Sequence, residues 1–290
     1  MNVVHIGYPK TGTTFLQWNV FPKLKNWNFI DYHQSHQIFM DLIYLDDLDY
    51  DKKLVEKRLS LFSKEGNNLA SYETLSGAPF KFKGLGRSAI PERLKQLGFD
   101  KVIITIRDQV SLVDSMYRQY VVQGGVMGFR DFLNLDHKWN PYLRAFHLDY
   151  LKYDLLISVY QNVFGSENVL ILRNEWLKVD KNRFESELSK FLDSDIELDV
   201  SIRSNKSLSN LSIQVLRILN HFTFNSERPN QLIWNRISSK NIWKIFAVIL
   251  DPYFLKLISA RKFFYTKDQK ERIADYFHDS NERVNNLIGD

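Results

Sequence analysis

The chain has no cysteine among its 290 residues. Disulfide frameworks, thiolate zinc sites, iron–sulfur clusters and cysteine nucleophiles are therefore excluded, while the compartment stays open. Proline and glycine are sparse, at 7 and 12 residues. No Pro-rich linker, internal repeat or long charge block divides the chain, which excludes collagen-like and low-complexity architectures. Long apolar runs are missing too. The most apolar late stretch, Ile242 to Ile258, is broken by Lys244, Asp251, Pro252 and Lys256, whereas a spanning helix needs about 20 apolar residues. It reads as a buried helix pair, with a membrane-touching surface as the alternative. Met1-Asn-Val-Val-His-Ile-Gly7 offers neither a basic nor an apolar leader segment, so no signal peptide is expected.

What is present suits a folded chain, with 44% hydrophobic and 25% charged residues, enough to bury a core. Aromatics stand out at 14%. Lys and Arg total 39 against 34 acidic residues, a net charge of +5. That bias fits anionic ligands, glycans, nucleic acid or a membrane surface without choosing among them.

Short apolar runs alternate with helical patterns, as in a parallel sheet covered by helices. Candidate strands are Val3–Ile6, Leu69–Tyr72, Val102–Ile106 and Val169–Leu172. A helix is expected over 88–98, from a serine start to a glycine stop. Another is expected over about 108–123, with Val110, Val113, Tyr117, Tyr120 and Val121 on one stripe, ending at Gly124-Gly125. After about Ser201 strand signals stop and the remainder reads as helical. The expected fold is one α/β domain over 1–290, with a central parallel sheet, a nucleotide-binding core over 1–200 and a helical extension over 201–290.

The strongest local signal is Val3-Val-His-Ile6 running into Gly7-Tyr8-Pro9-Lys10-Thr11-Gly12-Thr13-Thr14 and then Phe15-Leu-Gln-Trp18. A strand leading through a Gly/Thr-rich turn into a helix aims backbone N–H groups and the positive helix end at one spot, with an ammonium and hydroxyls beside it. Gly7 and Gly12 have Walker A spacing, but Thr13 stands where an NTPase places lysine. The strand Val102–Ile106 is followed by Arg107, where a Walker B strand would end in Asp. The loop therefore suits a phosphate-like group held without a metal. Arg107 falls at the carboxyl end of a strand, the ligand-binding edge of open α/β sheets. Ser115 lies roughly opposite the apolar stripe of the next helix, so guanidinium and hydroxyl could clamp a phosphate monoester.

The segment Tyr8 to Leu16 resembles the 5′-phosphosulfate-binding loop of sulfotransferases that use 3′-phosphoadenosine 5′-phosphosulfate (PAPS). A strand leading to Arg107, with Ser115 in the following helix, resembles the second element of that family, which binds the 3′-phosphate. Glu167-Asn-Val-Leu-Ile-Leu and Asp279-Ser-Asn-Glu-Arg283 are similar to segments of bacterial members. The resemblance implies a P-loop-like fold and a PAPS co-substrate without metal, with Tyr8, Pro9, Lys10, Thr11, Gly12, Thr13, Thr14, Phe15, Arg107 and Ser115 on the cofactor. Arg203, in Arg203-Ser-Asn205-Lys-Ser207, falls where similar segments close over the cofactor, although a helix N-cap serine accounts for part of that segment.

Sulfuryl transfer needs positioning and charge stabilisation more than covalent chemistry. Lys10 is placed to meet charge on the departing phosphate oxygen. Glu73 follows the second candidate strand, as in several carbohydrate sulfotransferases that place a catalytic Glu there, and is the expected general base. His33 and His36 compete for that role or line the acceptor pocket. The histidine motif and Gly-rich C-terminal segment of small-molecule sulfotransferases are not visible, which argues against a drug- or steroid-type acceptor; the expected acceptor is a hydroxyl of a glycan or glycolipid. The alternatives are a P-loop kinase or a non-catalytic nucleotide- or polyanion-binding protein. The reading implies a bacterial enzyme that is cytoplasmic, or peripheral at the inner membrane face, without a nucleic-acid partner. The basic scatter after 236, with Arg261 and Lys262, reads as a solvated face or a dock for an anionic polymer or lipid.

Overall fold

The computed structural model describes residues 1–80, 84, 86–135, 146–199, 208–224, 234–238 and 263–288, with backbone alone for 60, 223–224 and 234–238. The chain forms two compact units, one of Met1–Asp108, Pro141–Ser204 and Phe277–Asp290, the other of Gln109–Asn140 and Asn205–Tyr276.

The first unit is built on five parallel strands, β1 (Asn2–His5), β2 (Trp27–Ile30), β3 (Asn67–Ser71), β4 (Lys101–Ile106) and β5 (Val169–Arg173), in the order β2-β3-β1-β4-β5. The central strands are buried on both faces, which explains their continuous apolar runs. Val3, Leu69, Ile103 and Leu172 pack with Phe15, Phe21, Phe184, Leu188 and Leu192 in one cluster. The alternate residues of each strand turn to the other face.

The helices, in chain order, are α1 (Thr13–Phe15), α2 (Tyr32–Tyr44), α3 (Lys52–Arg58), α4 (Ile90–Gln96), α5 (Gln109–Val122), α6 (Phe129–Leu133), α7 (Tyr153–Phe164), α8 (Trp176–Val179), α9 (Lys181–Leu192), α10 (Asn210–Leu219) and α11 (Lys267–Ile288). α2 packs on β3, and α7 on β4 and β5, while α9 packs on β5. α4 starts behind Ala89 rather than a serine cap, because the turn at Gly86 supplies its first hydrogen bond, Ile90 N–H to Gly86 C=O at 3.2 Å. Its stop at left-handed Gly98 is as expected.

Two corrections concern strands. β2 was not expected: it is four residues long and carries Asn28, whose amide is absorbed by Leu61 C=O and Asn68 Oδ1, both at 2.9 Å. The second half is not wholly helical either, since β6 (Thr223–Phe224) and β7 (Trp234–Ser238) pair in parallel. In the second unit α5 packs against α10. There the Asp114 carboxylate accepts from Arg118 Nε at 2.7 Å and Phe264 N–H at 2.8 Å. In the first unit, Ser280 Oγ and Arg283 Nε of α11 both donate to the buried Asp154 of α7.

No helix among the described residues is long and apolar enough to cross a membrane. The stretch from Ile242 to Ile258, Arg261, Lys262 and the segment holding Arg203, Asn205 and Ser207 lie outside the described residues.

Candidate active site

Five parallel strands bring all their carboxyl ends to one edge of the sheet, and the loop after β1 sits at its centre. The pairing runs on past β1, with Ile6 N–H to Ile103 C=O at 2.9 Å and Tyr8 N–H to Thr105 C=O at 3.0 Å. A Cβ at Gly7 would stand 1.8 Å from Thr105 Oγ1 and 2.7 Å from His5 Nε2, so only glycine fits between the loop and β4. The chain then turns through two left-handed residues, Lys10 at φ 66° and Gly12 at φ 91°. Carbonyls on this turn are held from behind. Arg107 Nη1 donates to Lys10 C=O at 3.1 Å, and Asn174 Nδ2 to Thr11 C=O at 3.0 Å. Thr13 begins α1, and its helical run continues as a π-helical stretch, Leu16–Val20. The first N–H groups of such a run have no intrahelical partner, which leaves an electropositive concavity beside the exposed Lys10 side chain.

The loop hydroxyls divide. Thr11 is buried and turned inward, donating to Tyr8 C=O at 2.5 Å and lying 2.7 Å from Thr105 Oγ1. Thr13 Oγ1 instead donates to Glu73 Oε2 at 2.8 Å. Thr14 is half-buried, while Phe15 enters the core. Glu73 opens a short 3-10 turn directly after β3, so β1 and β3 bring the loop and the carboxylate together. Burial raises the Glu73 carboxyl above its usual range, against the opposing pull of the Thr13 hydroxyl and the Lys10 charge.

His5 braces the arrangement from below. Its ring nitrogens lie 2.8 Å from Ser71 Oγ on β3 and 3.2 Å from Thr105 Oγ1 on β4. Full burial lowers its pKa to about 3, so the neutral ring is a strut rather than a proton carrier at neutral pH. Gln17 adds a second tie, its amide donating to Ser71 Oγ at 3.0 Å.

A model of the sulfotransferase domain matches residues 2–282. The chain belongs to the sulfotransferase domain family. This is the family that the phosphate loop resembles, and the sulfotransferase has the expected α/β P-loop-like fold. A solved sulfotransferase from Alicyclobacillus acidocaldarius is similar at 18% identity and a TM-score of 0.50, over 70% of this chain and 86% of that one. Mouse sulfotransferase SULT7A1, solved with PAP, matches at 16% identity and a TM-score of 0.45, over 98% of this chain and 86% of the mouse chain. No curated protein matches.

Around Glu73 the sulfotransferase carries an aromatic rim. Tyr72 Oη lies 2.7 Å from His36 Nδ1, and the Tyr32 ring packs 5.3 Å from that of Tyr72 and 5.7 Å from that of His33. The pKa of Tyr72 is pushed up to about 12, chiefly by burial. Tyr32 is also raised, by burial first and then by the Glu73 charge. His33 and His36 are thus on the first turns of α2, exposed at this rim. The described cluster able to share an ion is the exposed trio His278, Asp279 and Glu282 on α11, and includes neither.

The other sequence candidates are placed differently. The side chain of Tyr8 is core, packed edge-on against Tyr150 and Tyr153, and its buried hydroxyl has no partner among the described residues. Pro9 is buried. Arg107 belongs to the first unit and Ser115 to the second, where Ser115 Oγ donates to Ser111 C=O at 3.1 Å. Asn174, at the end of β5, carried no signal in the sequence: an isolated amide announces nothing until β5 is known to lie beside β4.

Proposed function

We propose that this sulfotransferase moves a sulfuryl group from PAPS to a hydroxyl of a glycan or glycolipid, with Glu73 as general base. The observation that carries this is the Glu73 carboxylate hydrogen-bonded at 2.8 Å to a hydroxyl of the phosphate loop, which supports a base acting beside the donor's anionic end. The loop fits a phosphosulfate. Gly7 leaves no room for a side chain behind it, left-handed Lys10 and Gly12 shape a concavity, and Lys10 offers a charge at its mouth.

When bound, PAPS supplies the sulfuryl group and a phosphate leaving group. Lys10 places its ammonium where negative charge grows on that phosphate, the kind of electrostatic help that dominates in such transfers. Backbone N–H groups at Thr13 and Thr14 orient the anion. Glu73 accepts the acceptor hydroxyl's proton, and its raised pKa makes it a stronger base than an exposed carboxylate. Arg107 is assigned to the 3′-phosphate. No residue is assigned to a metal. The half-exposed Tyr32 face and the Tyr72–His36 pair favour an acceptor with both apolar faces and hydroxyls, as sugar rings have. An acceptor built into a cell-surface polymer or lipid would suit a cytoplasmic enzyme working at the inner membrane face.

The test is transfer of radiolabelled sulfuryl from PAPS to polysaccharides, glycolipids and small phenols in excess EDTA. Label should enter a glycan-bearing acceptor, and Glu73→Gln should cut the rate by about a hundredfold or more, the general-base scale, while retaining PAP binding. His33→Gln should leave transfer within about threefold, well inside that scale. Rapid transfer by Glu73→Gln places the base elsewhere. Labelling of phenols alone removes the glycan reading.

A further inference from the structure

A hydroxyl group carries one proton, so it donates to one acceptor at a time. Thr13 faces two claimants. Its proton goes to Glu73 Oε2 at 2.8 Å. Thr13 is also the first residue of the helical run behind left-handed Gly12, where a bound anion's oxygens, which are acceptors only, gather. Threonine in a helix divides between two χ1 rotamers, so a small rotation changes the partner without moving the backbone. Thr13 is buried, which limits competition from bulk water.

We propose that Thr13 is a donor-operated latch on Glu73: with the loop empty its hydroxyl occupies the carboxylate, and when the phosphosulfate end enters the loop the hydroxyl turns to it and frees the carboxylate for the acceptor. The inference rests on the reading of Glu73 as base. Its consequence is an order of events in which the base is available only after PAPS has bound. The electrostatics run the same way. Burial raises the Glu73 pKa, while the Thr13 hydrogen bond and the Lys10 charge lower it. An anion in the loop removes the first of those opposing effects and offsets the second, so the carboxylate becomes more basic when the donor arrives. The other groups that feel Glu73 are the phenols of Tyr32 on α2, Tyr72 beside it and Tyr150 on the turn Leu148–Leu151. All three have raised pKa values, so they stay neutral through the range in which a carboxylate titrates.

The experiment is infrared titration of the Glu73 carboxylate in the full chain, with Glu73→Gln as the spectral blank, with and without saturating PAP. PAP places its 5′-phosphate in the loop and cannot react. In the wild type the midpoint should move to higher pH when PAP binds. In Thr13→Val, which keeps the shape and removes the proton, the midpoint should already be high without PAP and move less on its addition. Thr13→Ser should restore the wild-type pattern. An unchanged wild-type midpoint, absence of PAP binding, or a Thr13→Val midpoint equal to wild type in the empty enzyme overturns the latch. The wild-type arm stands even if a variant fails to fold. Failure of the base assignment is distinguishable, because it appears as rapid transfer by Glu73→Gln whatever the midpoints do.

Discussion

Arg107 donates a hydrogen bond to the carbonyl of Lys10 at 3.1 Å, from the end of β4 to the tip of the phosphate loop. The backbone of Arg107 is held in turn, its carbonyl accepting from Tyr153 Oη at 2.8 Å. The guanidinium therefore helps hold left-handed Lys10 in place, besides its proposed part in binding the 3′-phosphate. Arg107→Ala should weaken PAP by about tenfold to a hundredfold, the scale of a lost charged hydrogen bond of about 1.5–3 kcal/mol. Adenosine 5′-phosphate should lose less, about twofold to tenfold, for a loosened loop. Calorimetric titration of both ligands checks this. Equal losses would remove the 3′-phosphate role and leave only the loop.

Buried His5 makes stability depend on pH. Its pKa is lowered from 6.5 to about 3, so the neutral ring contributes stability that is fully present above pH 6.5 and is lost as pH falls through about 3. Across that window the loss attributable to His5 is about 4–5 kcal/mol. His5→Gln should be less stable than wild type at pH 7, because Ser71 and Thr105 lose a fitted partner, and the gap should narrow as pH falls toward 4. Urea melts of both proteins at a series of pH values measure it. A gap that stays constant with pH would mean that His5 does not titrate on unfolding.

The turn at Gly12 depends on glycine twice. Its φ of 91° lies where a side chain is strained, and a Cβ would stand 2.6 Å from Asn174 Nδ2. Gly12→Ala should cost about 1–2 kcal/mol from the backbone alone. It should also push Asn174 off Thr11 C=O, weakening PAP binding. Asn174→Ala leaves the backbone unstrained and removes only that brace, so it should lower stability by about 1 kcal/mol and affect PAP in the same direction. If PAP affinity is untouched in both variants, the loop does not need its carbonyls held.

The parts that could be read in advance are those fixed by local patterning. β1, β3, β4 and β5 are apolar runs because each is covered on both faces, and the loop at 7–14 announces itself by where its glycines and threonines fall. Glu73 was legible because a strand end in a parallel sheet predicts an edge, and the edge predicts neighbours. β2 was not: its asparagine is satisfied by Asn68 across the sheet, a partner 40 residues away. Thr11 and Thr13 look alike in the sequence, yet one hydroxyl serves Tyr8 and Thr105 while the other serves Glu73. Only the register of three strands decides that. Asn174 and His5 were passed over for the same reason, since one works through Thr11 of the loop and the other through Ser71 on β3 and Thr105 on β4.

The late segment around Asp279 to Arg283 has a structural reason to matter. Asp154 is buried on α7 and accepts from Ser280 Oγ and from Arg283 Nε, the latter at 2.6 Å. Arg283 is more than half exposed while Ser280 is buried, so the two partners respond differently to loss of the carboxylate. Arg283 can turn to water, but Ser280 would be left without its acceptor. Asp154→Ala should therefore destabilise the protein by about 2–3 kcal/mol, the scale of a lost charged hydrogen bond with a buried group unsatisfied. Arg283→Ala should cost much less than Asp154→Ala, as for a solvent-screened pair. The double variant Asp154→Ala/Ser280→Ala should recover part of the Asp154 loss, because no stranded hydroxyl remains. Urea unfolding of these three variants and of Ser280→Ala checks this. A double variant as unstable as the sum of its singles would show that the two residues act independently and that the Ser280 hydroxyl is not stranded by loss of Asp154.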